Sequence, residues 1–259
     1  MKKAFSAFRI WRLGDHGPQQ VTDRLVEEEP VNLIADGIKA EVLMATPGLE
    51  RELAAGFCLT MGWLDSSSPA CEVKWRADAR EAIVHRAKPG KSTVAVKATG
   101  GGPLGPRQAV KAESGRLMEV ETFTRLTEAM SQTQPLFEAT GATHAVGLFD
   151  LKGELLVVAE DAGRHNALDK AVGSLWLENR LYAAKAAAFS GRMSLEMVLK
   201  SARAGLVFLA GVSAPTAAAV RAANDLGLTL GGFARKGKMN IYTHAENLLY
   251  QAKPFVKSD

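Results

Sequence analysis

Over the first ninety-odd residues, apolar and polar positions alternate in short runs. Residues 8–13, 31–38 and 42–46 read as strands, and further strands fall near Glu72, Ile83 and Val94. Between them Leu49, Leu53, Phe57 and Met61 recur at helical spacing, which predicts a helix over 49–61. Residues 99–106 are rich in glycine and proline and read as a loop. A helix follows near 124–134. Residues 144–149 and 154–159 then form a hairpin, turning at Leu151-Lys152-Gly153. From Asn166 onward the period switches repeatedly: helix, strand (186–189), helix (194–204), strand (206–212), helix (215–226), strand (228–233). That alternation predicts a parallel α/β arrangement, with Gly205 and Gly227 just past two helix ends and Pro215 near a helix start. No internal repeat or low-complexity linker interrupts the chain. The pattern divides it into a smaller strand-rich half, 1–123, and an α/β half, 124–259, as parts of one folded unit.

At 259 residues and 47% hydrophobic, the chain is long enough to bury a sizeable core. No stretch has the uncharged apolar length that crosses a bilayer, and the basic start Met1-Lys2-Lys3 has no apolar signal core behind it, so a cytoplasmic protein is expected. The net charge is +4, with 32 basic residues scattered among 28 acidic ones, a distribution that does not suit nucleic acid. A local anion fits better, because Arg235, Lys236 and Lys238 cluster around Gly237. The two cysteines, Cys58 and Cys71, have neither CxxC spacing nor histidine partners, so no structural metal or disulfide framework is expected. Cys58 borders the apolar stripe and reads as a buried, inert thiol.

The densest chemistry lies in Glu160-Asp161-Ala162-Gly163-Arg164-His165-Asn166-Ala167-Leu168-Asp169-Lys170. Six ionisable residues occupy eleven positions between an apolar strand and an apolar helix. A packed core does not ordinarily use that composition, whereas the strand-to-helix junction of an open sheet is where ligands bind. Ser190-Gly191-Arg192, Ser213-Ala214-Pro215 and the stretch from Phe233 to Lys238 also follow predicted strands. If those strands are parallel neighbours, Arg164, His165, Arg192 and the basic cluster share one rim. Loops are polar in any case, so the residues alone leave both readings open. His144, at a strand start, reads as a hydrogen-bonded structural histidine.

Two glycine motifs are set aside. Residues 100–105 satisfy GxGxxG, but Pro103, Pro106 and Gly115 oppose the helix that a dinucleotide fingerprint requires, which disfavours a nucleotide-dependent oxidoreductase. Residues 232–239 approach a P-loop until Met239 replaces the magnesium-binding Ser or Thr, and a strand rather than a helix follows.

Taken together, the motifs resemble the FdhD family of formate dehydrogenase accessory proteins, also called NarQ-like. The resemblance rests on the 160–170 run, Glu28-Glu29-Pro30-Val31, Met44-Ala45-Thr46-Pro47-Gly48, Thr140-Gly141-Ala142-Thr143-His144-Ala145, Ser190-Gly191-Arg192-Met193-Ser194 and Ser213-Ala214-Pro215-Thr216. It implies a cytoplasmic homodimer whose C-terminal half has a cytidine-deaminase-like α/β/α fold without the deaminase zinc. It also implies binding of the bis-guanine-dinucleotide molybdenum cofactor, with GDP as a mimic, and partnership with the formate dehydrogenase apoprotein and a cysteine desulfurase. The cofactor-contacting segment maps to Phe233, Ala234, Arg235, Lys236, Gly237 and Lys238, with Arg164, His165 and Arg192 on the same rim. The family carries sulfur on a Cys-Gly-x-Cys-Gly loop, and this chain reads Gly101-Gly102-Pro103-Leu104-Gly105 there. The expectation is therefore a cofactor-binding chaperone without the persulfide cysteines. The alternative is a sulfurtransferase working through Cys58 or Cys71.

Overall fold

The computed structural model describes residues 3–65, 71–85 and 117–255; the strand expected near Val94 and the glycine loop lie outside them. The chain opens with β1 (Phe5–Gly14) and β2 (Gly17–Val26), paired antiparallel along their whole length as a separate ribbon. β3 (Glu29–Ala35) and β4 (Ile38–Ala45) form the next hairpin. After α1 (Glu50–Thr60), β5 (Val73–Arg76) and β6 (Glu81–Val84) complete a four-stranded sheet of order β4-β3-β6-β5. β7 (Met118–Glu119) leads into α2 (Val120–Ser131) and α3 (Pro135–Thr140).

The main sheet is built from β8 (His144–Phe149), β9 (Leu155–Asp161), β10 (Ala186–Phe189), β11 (Phe208–Gly211), β12 (Thr229–Arg235) and β13 (Lys238–Thr243). Its order is β13-β12-β11-β10-β8-β9. As the alternating pattern predicts, β10, β11 and β12 are parallel, while β8 and β13 run antiparallel to their neighbours. The interposed helices are α4 (Arg164–Leu177), α5 (Leu195–Arg203) and α6 (Ala217–Asp225). β14 (Leu248–Tyr250) and β15 (Lys253–Pro254) join β7 in a small sheet.

Strand alternation divides the core between the two faces of the main sheet. Val146, Leu148, Ala187, Phe189 and Leu209 face α4, α5 and α6. Ala145, Phe149, Ala186, Ala188 and Phe208 face Phe123, Leu126 and Met130 of α2. Helices therefore cover both faces, and the architecture is mixed α/β. The four-stranded sheet contributes Val31, Leu33 and Leu43 to the same cluster as α1 and α4, so the N-terminal strands and the α/β layers share one core.

α1 and α4 are buried over consecutive residues, 53–60 and 165–173, which makes them interior helices rather than amphipathic surface ones. Their crossing is set by two glycines. A Cβ on Gly56 would lie 1.8 Å from the Asp169 carbonyl oxygen, and one on Gly173 would lie 1.8 Å from the Glu52 carbonyl oxygen. Among the described residues no helix is long and apolar enough to cross a membrane.

Candidate functional site

The charged run sits where the sequence places it, at a strand-to-helix junction, with β9 ending at Asp161 and α4 beginning at Arg164. Its composition, however, is used by the core. Glu160, Asp161, His165, Asp169 and Lys170 are all buried, and of the six ionisable residues only Arg164 is not. Each buried member has a partner that sequence spacing does not reveal, because the partners come from distant segments.

Asp161 is the hub. Its Oδ2 accepts the Thr46 backbone N–H at 3.0 Å and pairs with Lys170 Nζ at 2.7 Å. Its Oδ1 accepts the Gly163 N–H at 2.8 Å and Asn166 Nδ2 at 3.1 Å. Asn166 Nδ2 and Lys170 Nζ also donate to the carbonyls of Met44 and Thr46, each at 2.7 Å, and Thr46 Oγ1 accepts the Ala162 N–H at 3.1 Å. The turn bearing Arg164 is thereby tied to the end of β4. Glu160, on the other face of β9, accepts the Leu136 and Phe137 N–H groups at 2.9 and 2.7 Å and caps α3. One helical turn deeper, Lys200 Nζ meets Asp169 Oδ2 at 2.5 Å, and Thr60 Oγ1 donates to Asp169 Oδ1 at 2.7 Å.

His165, expected beside Arg164 on the rim, points inward. One residue along a helix turns the side chain by about 100°, and here that rotation carries the imidazole towards α5. Its Nε2 stands 3.2 Å from Glu196 Oε2, without the alignment of a hydrogen bond. Burial, then the charges of Lys200 and Arg164, push His165 down to about 3, while burial pushes the Glu196 carboxyl up. Between about pH 6.5, the ordinary histidine value, and pH 3, the unfolded chain binds a proton at this position that the folded chain does not. Stability is therefore lost as pH falls through that window, by up to about 1.4 kcal/mol per unit. Glu196 opposes the loss, because the fold takes up its proton before the unfolded chain does. Urea unfolding at stepped pH should show a steeper acid loss in Glu196→Gln and a flatter one in His165→Gln; parallel profiles for all three proteins would refute the assignment.

The ends of β9, β10, β11 and β12 and the start of β8 lie along one edge of the sheet, so the expected rim exists. At one end, Gly191 fits between His144 and Arg164. A Cβ there would lie 3.1 Å from His144 Nδ1 and 3.7 Å from Arg164 Cδ. His144 Nδ1 is 3.3 Å from Ser190 Oγ, and burial followed by the Arg164 charge holds its pKa below the ordinary value. Arg192 is exposed nearby in sequence.

At the other end, β12 and β13 close through Lys236 and Gly237, both at positive φ (51° and 69°), in the two-residue turn that matches strand twist. Arg235 and Lys238 are direct cross-strand partners, so two like charges share one face, an arrangement that is unfavourable without an anion. Phe233 sits in the irregular stretch of β12 at φ 55°, strained for an aromatic residue, and leaves half of its surface exposed. Arg235, Lys236 and Lys238 are exposed and pair with no acid among the described residues. The P-loop alternative fails as the sequence indicated, because β13 follows the basic turn.

Both cysteines are interior. Cys58 is inaccessible and Cys71 only 8% exposed, and burial, with Cys71 and Asp169 nearby, raises the Cys58 thiol pKa.

The profile of the FdhD/NarQ family matches residues 26–249. The chain belongs to that family. Among curated FdhD relatives, the sulfur carrier protein FdhD of Sulfolobus acidocaldarius is 34% identical over 235 residues, covering 87% of this chain and 91% of its own. That of Bordetella parapertussis is also 34% identical, covering 88% of each chain. The fold matches the crystal structure of a proposed formate dehydrogenase accessory protein from Desulfotalea psychrophila at a TM-score of 0.79, covering 95% of this chain and all of that one at 21% identity. Within the FdhD fold of this chain, Arg164, Arg192 and the 233–238 hairpin lie on the rim, and His165 serves the core.

Proposed function

We propose that this protein is a formate dehydrogenase accessory protein that binds the bis-guanine-dinucleotide molybdenum cofactor during maturation of that enzyme, without carrying sulfur as a persulfide. The observation that carries the reading is the burial of the chain's two thiols in the core, combined with a glycine and a leucine, Gly101 and Leu104, at the positions of the family's sulfur-carrying cysteines. A persulfide forms when an accessible thiolate attacks a sulfur donor, and burial disfavours both access and ionisation at Cys58. Sulfur transfer through Cys58 or Cys71 is accordingly the less favoured reading.

The hairpin fits a diphosphate. Arg235 and Lys238 on one face, with Lys236 at the turn, supply charge-assisted donors, and the exposed Phe233 ring offers a surface for a flat base. The cofactor would bring the metal centre; this chain's residues would hold its nucleotide phosphates.

Titration calorimetry with GDP tests the binding half. Arg235→Ala/Lys238→Ala removes two charge-assisted contacts at about 1.5–3 kcal/mol each, so affinity should fall at least tenfold. Unchanged affinity would remove the hairpin from the site. Intact-mass measurement after incubation with a cysteine desulfurase and cysteine tests the sulfur half. No added sulfur is expected on the native protein, and an adduct lost in Cys58→Ser or Cys71→Ser would restore the sulfurtransferase reading.

A further inference from the structure

The two edges of the main sheet are finished differently. β13 opens with Lys238, a charge that discourages another strand from adding to it. β9 reads Leu155-Leu156-Val157-Val158-Ala159 along its edge, with neither a charge nor a proline. The irregularity in its pairing with β8 falls at Leu156, and the stretch after it is regular.

The direction of the backbone groups there follows from the ladder. Ala145 of β8 turns its N–H to Ser190 Oγ and its carbonyl to the Ser190 N–H, both on the β10 side. Its partner in β9, Glu160, therefore points away from β8, and Lys170 Nζ approaches the Glu160 carbonyl at 3.5 Å. Two residues earlier Val158 has the same orientation, and its N–H and C=O meet no partner among the described residues.

A cleft of about 440 Å³ lies along this edge. Pro47 and Leu49, just ahead of α1, line one side of it, Pro135 and Leu136 of α3 the other, and Leu155 and Val158 lie between. Leu49 and Leu155 keep 42% and 37% of their surface exposed. The two charged residues that border the cleft are already matched, Glu160 by the N–H groups of α3 and Lys170 by Asp161. Open backbone groups between apolar walls, with no charge left over, are the complement of an uncharged strand.

We propose that this cleft receives an extended, uncharged segment of the formate dehydrogenase apoprotein, which adds to β9 as a further strand of the main sheet. That strand would bond Val158 from about 4.8 Å away, and its alternate side chains would fall to the two walls. A chain that folds around its cofactor leaves segments extended until the cofactor arrives. The choice of the apoprotein as source rests on the proposed function; the strand chemistry of the cleft does not.

Hydrogen exchange and fluorescence anisotropy on the full chain, with short overlapping peptides tiling the apoprotein as probes, test the proposal. In the free protein the Val158 amide should exchange faster than those of Val157 and Ala159, which face β8, and at least one peptide should slow it. Val158→Pro removes the outward N–H and spares the bonds to β8, and Leu155→Lys sets a charge at the edge. Each should weaken that peptide at least tenfold with far-UV circular dichroism unchanged. Leu155 is exposed, so its replacement keeps the test valid should Val158→Pro disturb the strand. A Val158 amide already protected in the free protein would show the edge to be covered and overturn the inference. Peptides that bind all three proteins equally, or a whole apoprotein that binds while none of its peptides does, would overturn it and leave the proposed function standing. No binding of the apoprotein or of any peptide would overturn both.

Discussion

Gly56→Ala or Gly173→Ala is expected to abolish the native fold, even though alanine is the better helix former by about 1 kcal/mol. Each new methyl would lie 1.8 Å from a backbone carbonyl oxygen of the facing helix. Overpacked side chains relax by changing rotamer, and their cost is typically about 1–3 kcal/mol. Here the obstacle is main chain, and relief requires α1 and α4 to separate while both are enclosed by one core. The loss should exceed that range and consume much of the roughly 5–15 kcal/mol that stabilises a domain. Soluble yield and urea unfolding provide the check. A variant within about 1 kcal/mol of the native protein would show that the helices can part without penalty.

The second large effect concerns the Asp169–Lys200 pair, in which both side chains are 1% exposed. Asp169→Ala strands the Lys200 ammonium in the core, beside the Phe57 ring at 5.0 Å, and leaves the Thr60 hydroxyl only the Phe57 carbonyl at 3.3 Å in place of its shorter bond to the carboxylate. Removing one partner of such a pair costs about 3–5 kcal/mol, whereas replacing both with apolar residues is often neutral. Asp169→Leu/Lys200→Met should therefore be markedly more stable than Asp169→Ala in urea unfolding. Equal losses in the two variants would mean that packing, and not the orphaned charge, sets the cost.

The two halves of the chain differ in how much of this the sequence discloses. From His144 onward, element order and the parallel core of the sheet follow from periodicity, because the strands are short apolar runs and α5 and α6 both end at glycines, Gly205 and Gly227, with Pro215 near the start of α6. β2 is not visible in that way: Gln19, Gln20, Thr22, Asp23 and Arg24 leave no apolar alternation, and the strand is defined by its pairing with β1. α3 is too short for its period to register, and it is fixed by Glu160 from 23 residues away in sequence. The rim was legible because strand ends in a parallel sheet must share an edge. The fate of the charged run was not. Composition assigns those residues to solvent, and only tertiary partners such as Thr46, Thr60 and Lys200 make their burial tolerable. Within α4, His165 and Asp169 stand four residues apart on one helical face with Leu168 and Val172 beside them, which was the available signal that this part of the run looks inward.

The enclosed position of Cys58 has a consequence for measurement. A thiol that solvent cannot reach in the folded chain reacts with a maleimide or disulfide reagent only from molecules that have opened around α1. When reclosing is faster than labelling, the modification rate reports the equilibrium fraction of opened chains, and hence the free energy of that opening. The native sequence thus carries an internal clock for core exposure. Following it with and without GDP would give the energetic coupling between rim occupancy and core opening, with no engineered probe.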